Sequence, residues 1–257
     1  MDLQMLYALL LVAMFVYMSI WFGFAFLVKR IDAVDSAWGL GFVYVALIVL
    51  FSDHLPAAAR AAAILTGVWG LRLSWHITQR NRRTTEDKRY AVYRKKWGDN
   101  FWSKAYTNIY LLQGLLILLV STPLVAIESR MGKTWNALMW TGFGVWVFGI
   151  LFEAIADYQL RRFRATVRTH KVLQTGLWHY SRHPNYFGEI MTWLGAALVA
   201  GGLGQWWGFV GPVVIAFLIT QVSGIPPLEK RYAHDKTYQD YARRTSILIP
   251  WFPRTER

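Results

Sequence analysis

The residues best suited to chemistry lie in the stretch GLWHYSRHPNYFGEIMTW, Gly176 to Trp193. It opens on a polar, basic loop and ends inside an apolar run, and Arg182, His183, Asn185, Tyr186 and Glu189 fall within it beside Pro184 and Gly188. So much polar chemistry at the mouth of a hydrophobic span marks a charged ligand. Its cations suit phosphates, its amide and hydroxyl groups suit a ribose or a carboxamide, and Gly188 permits close backbone approach. Pro184 as first helical residue with His183 as cap accounts for the proline. It does not account for Asn185 and Glu189, four apart and facing one way inside a span.

Two other stretches carry charge into apolar surroundings. In FEAIADYQLRRFRATVRTHK, Glu153 and Asp157 share one helical face, and Arg161 and Arg164 follow on the next turns. That spacing serves either a salt-bridged helix extension or a grip on an anionic ligand. In KRIDAVDSAWGLGF, Asp32 is placed to cap a helix, while Asp35 enters the span and reads as a cap or as an acid held in low dielectric. The chain has no cysteine, which removes disulfides and thiolate ligands. No metal site is expected, since no pair of histidines four apart flanks an acid.

The elements that must position these groups are membrane spans. Apolar residues make up 55% of the 257 residues, with 14 Trp, and several windows hold about 18 or more nearly uncharged residues, enough to cross a bilayer core. Seven spans are expected, near 3–28, 36–51, 58–78, 106–128, 135–156, 186–203 and 207–222. The first has no basic leader or cleavage site and reads as a retained span. Of the 28 Lys and Arg, 24 fall after span one, in 79–104, in 157–185 and after residue 222, all on one side of a seven-span chain. The positive-inside rule then puts the N-terminus outside and the C-terminus in the cytoplasm. The expected fold is an all-α integral membrane protein, a single transmembrane domain over 1–257 whose part from about 150 to 257 forms the binding region. Gly142, Gly144 and Gly149 in the fifth span offer close helix approach. The net charge of +13 in this setting points to lipid headgroups or an anionic ligand rather than nucleic acid.

RHPNYFGE closely resembles the signature of the membrane sterol reductases, the superfamily of steroid 5-alpha-reductases and delta-14 sterol reductases, and in particular their bacterial DUF1295-like branch. The shorter RHPxYxG is shared with isoprenylcysteine carboxyl methyltransferases. The resemblance is close over the C-terminal part of the chain and rests on spacing alone over the N-terminal part. It implies NADPH as cofactor. Asn185 and Glu189 would hold the nicotinamide end, and Tyr180, Arg182, His183 and Tyr186 would surround the phosphates and ribose. Asp157, Arg161 and Arg164, with Lys171 in the same basic segment, would grip adenosine and phosphates. Arg80 and Arg83 would lie near the diphosphate, and Lys230 and Tyr241 would close over the cofactor.

In the catalytic role the resemblance places Asp35 where the family has an early Glu, and Trp69 where it has a later Tyr. An indole donates a hydrogen bond but is not a proton source like a phenol, a departure that argues against a steroid ketone rather than against reduction. The implied activity is NADPH-dependent reduction of an activated C=C bond in a lipid or steroid-like substrate, 3-oxo-5-alpha-steroid 4-dehydrogenase-like, in a bacterial inner membrane or, in a eukaryote, the endoplasmic reticulum. The alternatives are an S-adenosylmethionine-dependent methyltransferase of the isoprenylcysteine type and a non-catalytic lipid-binding membrane protein. The absence of a GxGxxG unit means that the cofactor must be held by helix ends and loops.

Overall fold

A computed structural model describes residues 3–52, 55, 57–82, 86, 88–128, 134–166 and 172–254. Among these residues the architecture is all-helical, apart from a single parallel β-bridge between Ser181 and Ser246. The chain divides into two compact units, Met1–Thr134 and Trp135–Arg257.

The first unit contains α1 (Leu3–Val28), α2 (Ala33–Leu50), α3 (Ala57–Asn81), α4 (Lys88–Trp97), α5 (Phe101–Ala105), which runs through a π-helical turn into α6 (Leu112–Val120), and α7 (Thr122–Glu128). The second contains α8 (Ala137–Thr166), α9 (Pro184–Gly202), α10 (Val210–Phe217), which passes through another π turn before α11 (Ile225–Tyr232), and α12 (Lys236–Arg244). Five stretches are long and apolar enough to cross a membrane: Leu3–Val28, Ala33–Leu50, Tyr90–Val120, Ala137–Thr166 and Trp206–Tyr232. They make this an integral membrane protein. The other two expected spans coincide with α3 and α9. Both have crossing length, but α3 carries Arg60 and Arg72, and α9 opens on polar residues and continues in glycine and alanine.

Small residues set the closest packing in each unit. In the first, α2 and α3 cross where Gly39 meets Gly70, and a Cβ on Gly70 would stand 2.6 Å from the Gly39 carbonyl oxygen. Backbones at that distance let Ser74 Oγ donate to the Ser36 carbonyl at 2.9 Å and Thr78 Oγ1 to Ser36 Oγ at 2.9 Å. In the second, α8 and α9 touch along Gly142, Gly149, Gly188 and Gly195. A Cβ on Gly142 would meet Val199 N at 2.7 Å, and one on Gly188 would meet Glu153 N at 2.6 Å. Gly144, expected to serve the same purpose, faces open space instead. Helix α9 therefore buries its small-residue face on α8, the packing that polar and small residues favour where lipid provides no hydrophobic drive. Its polar N-terminal turn is thereby held beside the C-terminal half of α8.

Candidate functional site

The signature loop of the second unit is fixed from both sides. Gly176 takes φ +64°, a conformation glycine adopts without a Cβ clash, with the Gln159 side chain packed against it. Gln159 Oε1 accepts from the Leu177 amide at 3.0 Å, and Trp178 Nε1 donates to the Ala156 carbonyl at 3.0 Å. These contacts seat the turn on α8. From the other side the C-terminal segment pairs with the loop: Arg182 N donates to the Ser246 carbonyl at 2.8 Å, Ser181 Oγ to the Leu248 carbonyl at 2.7 Å, and Trp251 N to the Tyr180 carbonyl at 3.0 Å. Tyr241 on α12 is buried, and its hydroxyl donates to the carbonyls of Trp178 and, at 3.1 Å, Ser181.

Helix α9 begins at Pro184 with His183 in the cap position, as the sequence indicates, yet the imidazole does not cap it. Instead His183 Nε2 meets Glu229 Oε1 of α11 at 2.9 Å, Tyr238 donates its hydroxyl to the same oxygen at 2.5 Å, and Arg182 Nη1 pairs with Glu229 Oε2. Glu229 thus gathers three side chains. Burial lowers the His183 pKa and outweighs the Glu229 hydrogen bond that raises it, so at neutral pH the ring is neutral and donates from Nε2. Burial, then Glu229, pushes Tyr238 up, and burial pushes Tyr241 up. Both phenols keep their protons and act as donors.

Beside this cluster lies a cavity of about 160 Å³. Arg164, Arg182, His183, Asn185, Tyr232 and Tyr238 supply its polar lining, and Leu160, Phe163, Leu173 and Trp178 its apolar wall. Two of the lining residues also hold a buried polar atom that has no hydrogen-bond partner among the described residues, Asn185 Oδ1 and Arg182 Nε. An unpartnered buried polar atom is costly and calls for an explanation, and a polar ligand at the adjoining cavity would supply one if these side chains turned toward it. The guanidinium groups of Arg164 and Arg182, the Asn185 amide and the Tyr232 hydroxyl are a polar set that fits the phosphate and ribose of a nucleotide. The volume is below the ~300 Å³ at which sites for whole small ligands begin, so the cavity fits one portion of a dinucleotide.

Of the residues expected at a cofactor, the cavity brings together Arg164, Arg182, His183, Asn185 and Tyr241. Asp157 and Glu189 are buried outside its lining, Tyr186 stacks on the His183 ring at 5.6 Å, and Arg161 lies over the Tyr158 ring at 5.8 Å. Tyr180 and Lys230 are exposed. Arg83 and Lys171 lie outside the described residues. Glu229 and Tyr238 were not anticipated. No local signal marks Glu229, an acid within a basic helix.

In the first unit Asp35 stands in the first turn of α2, where its Oδ1 accepts from the Tyr90 hydroxyl at 3.1 Å and Arg80 approaches its Oδ2 at 3.7 Å. The expected cofactor arginine and the expected acid are therefore neighbours. Asp32 holds the cap position without capping, because its carboxylate pairs with Arg30 at 2.7 Å. Trp69 is fully buried and packs edge-on against Phe42 at 5.2 Å between ring centres. The phenol beside Asp35 is Tyr90 of α4, also buried.

A membrane helical chain with this loop and cavity matches a family profile described as Protein of unknown function (DUF1295) over residues 21–245. The chain belongs to that family, which is distantly related to the steroid 5-alpha-reductases. Rattus norvegicus 3-oxo-5-alpha-steroid 4-dehydrogenase 1 is 31% identical over 112 residues, 43% of this chain and 40% of that protein. Dictyostelium discoideum very-long-chain enoyl-CoA reductase is 28% identical over 115 residues, 44% of this chain and 36% of that protein. A Schizosaccharomyces pombe protein is 24% identical over 276 residues, 94% of this chain and 78% of that one. The chain spans about 40% of the length of the two named reductases it matches. No solved structure matches.

Proposed function

We propose that this protein is an NADPH-dependent reductase of an activated C=C bond in a lipid or steroid-like substrate. The observation that carries the reading is the cavity at the signature loop, lined by Arg164, Arg182 and Asn185, with Asn185 Oδ1 and Arg182 Nε buried without partners among the described residues. The distant likeness to two kinds of reductase supports it.

When bound, the reduced nicotinamide supplies a hydride. Arg164 and Arg182 meet phosphate oxygens, with Arg161 as a further cation, and the family resemblance would add Arg80, Arg83 and Lys171 near the adenosine and diphosphate. Asn185 and Glu189 orient the carboxamide end, and Asp157, Tyr180, Tyr186 and Lys230 belong to the same cofactor region, from about 150 to 257 of one transmembrane domain. Glu229 and Tyr241 hold Arg182 and the loop in position through the bonds described above. Leu160, Phe163, Leu173 and Trp178 keep water from the polar contacts, which strengthens them. Reduction also needs a proton. Asp35, held by Tyr90 and Arg80, is the acid assigned to deliver it, with the Trp69 N–H as a hydrogen-bond donor. In this reading the chain crosses seven times, with its N-terminus outside, its C-terminus in the cytoplasm, and a bacterial inner membrane as its location.

Thermal unfolding of the detergent-purified protein with NADPH, NADH or S-adenosylmethionine tests the reading. NADPH at a hundredfold excess over its Kd stabilises by about 2.7 kcal/mol, and Asn185→Ala and Arg164→Ala abolish that response while leaving the unliganded Tm unchanged. Stabilisation by S-adenosylmethionine alone replaces reduction with methyl transfer, and no response to any of the three rejects a nucleotide cofactor.

A further inference from the structure

The C-terminal segment 245–254 is a strap that runs against the signature loop yet shows an apolar surface to the outside. Ile247, Ile249, Trp251 and Phe252 are exposed, the last two at 72% and 76%. A soluble tail with that composition tends to bury it. Basic groups flank the same surface: Arg243 and Arg244 precede the strap, and Arg254 ends it, its amide bonded to the Arg244 carbonyl at 3.0 Å.

Depth decides what covers this surface. The strap is bonded to Tyr180, Ser181 and Arg182, and their loop is seated on α8 through the bond from Trp178 to Ala156. From Ala137 to Ala156 helix α8 rises about 28 Å, close to the ~30 Å hydrocarbon core. At the start of α8, Trp135, Trp140 and Phe143 form an aromatic cluster, with Trp135 and Trp140 4.6 Å apart. At the other end Tyr180 and Phe252 pack edge-on at 5.9 Å, beside Trp251. Two aromatic groups separated by one hydrocarbon thickness are the pattern of interfacial belts.

We infer that the strap docks on the membrane surface, with Ile247, Ile249, Trp251 and Phe252 entering the headgroup boundary and Arg243, Arg244 and Arg254 contacting anionic lipid headgroups. Lipid then helps hold the segment that hydrogen-bonds Arg182. This inference does not depend on the reductase reading.

The chain has no cysteine, so Ile249→Cys accepts a single environment-sensitive fluorophore, with Thr237→Cys as the exposed reference. The full-length protein is reconstituted in phosphatidylcholine vesicles with and without phosphatidylglycerol. At position 249, quenching by lipid-tethered doxyl groups near the glycerol level and protection from aqueous iodide are expected, with phosphatidylglycerol increasing the protection. Adding Trp251→Ser with Phe252→Ser restores iodide quenching, and Arg243→Gln, Arg244→Gln and Arg254→Gln together remove the phosphatidylglycerol effect. Iodide quenching equal to that at position 237 overturns the inference. Shielding from both quenchers also overturns it, because it means that protein, such as a second copy of this chain, covers the strap. Protection that ignores phosphatidylglycerol overturns the anionic-lipid part.

Discussion

The two units each gather charged groups near the end of an apolar helix, and they use them differently. At the start of α2 the charges answer one another in short pairs: Arg30 with Asp32 at 2.7 Å, Arg94 with Glu86 at 3.1 Å, and Arg80 with Asp35 at 3.7 Å. Arg94 also donates to the Lys29 carbonyl at 3.2 Å and lies over the Phe101 ring at 4.2 Å. This network ties α1, α2, α3 and α4 together. At the start of α9 one carboxylate, Glu229, serves Arg182, His183 and Tyr238, and beside it lie a cavity and two buried polar atoms without partners among the described residues. The first arrangement distributes its bonds, whereas the second concentrates them on one residue and leaves room for a ligand. Concentration makes the second more fragile and more informative about function.

That contrast can be broken at its hub. Glu229→Ala leaves Arg182 largely buried without its carboxylate and removes the acceptor of two further side chains, with an expected loss of about 2–4 kcal/mol in urea or thermal unfolding in detergent. Glu229→Gln retains one oxygen acceptor and loses less. Next in size is Gly195→Ala, whose Cβ meets the Trp146 backbone. Forcing α8 and α9 apart costs about 1–3 kcal/mol and displaces the Asn185 end of α9, so it lowers both Tm and any nucleotide response. In the first unit Tyr90→Phe removes one bond to Asp35 while Arg80 remains, and about 1 kcal/mol is expected. An effect as large as that of Glu229→Ala would erase the distinction between distributed and concentrated networks.

The smallest effect is a pH dependence. Because burial lowers the His183 pKa below its ordinary 6.5, the folded protein binds fewer protons than the unfolded chain between the two values. Stability is then fully present above about pH 6.5 and falls on acidification through that window. His183→Gln, which keeps a donor toward Glu229, flattens the Tm profile there. An unchanged slope would assign the acid sensitivity to other groups.

The membrane class, the helical fold and the signature loop were legible in the sequence, because hydropathy over 18 residues and local spacing depend on near neighbours. Five of the expected spans follow from apolar length alone. Helices α3 and α9 are less apolar because α3 carries Arg60 and Arg72 and α9 opens on polar residues, and the small residues by which each packs on a partner helix are not distinguished by hydropathy. Arg164, Arg182, His183, Asn185 and Tyr241 were recognisable through motif and spacing, and the fold does gather them at one cavity. Glu229 was not recognisable. It lies 46 residues from His183 in sequence, and nothing local distinguishes it from a solvated acid in a basic helix. The same holds for Tyr90, 55 residues from Asp35. Local patterns determined which residues were chemically capable. Only the tertiary structure decided which of them share a carboxylate, since that depends on helix ends brought together by packing at long sequence separation.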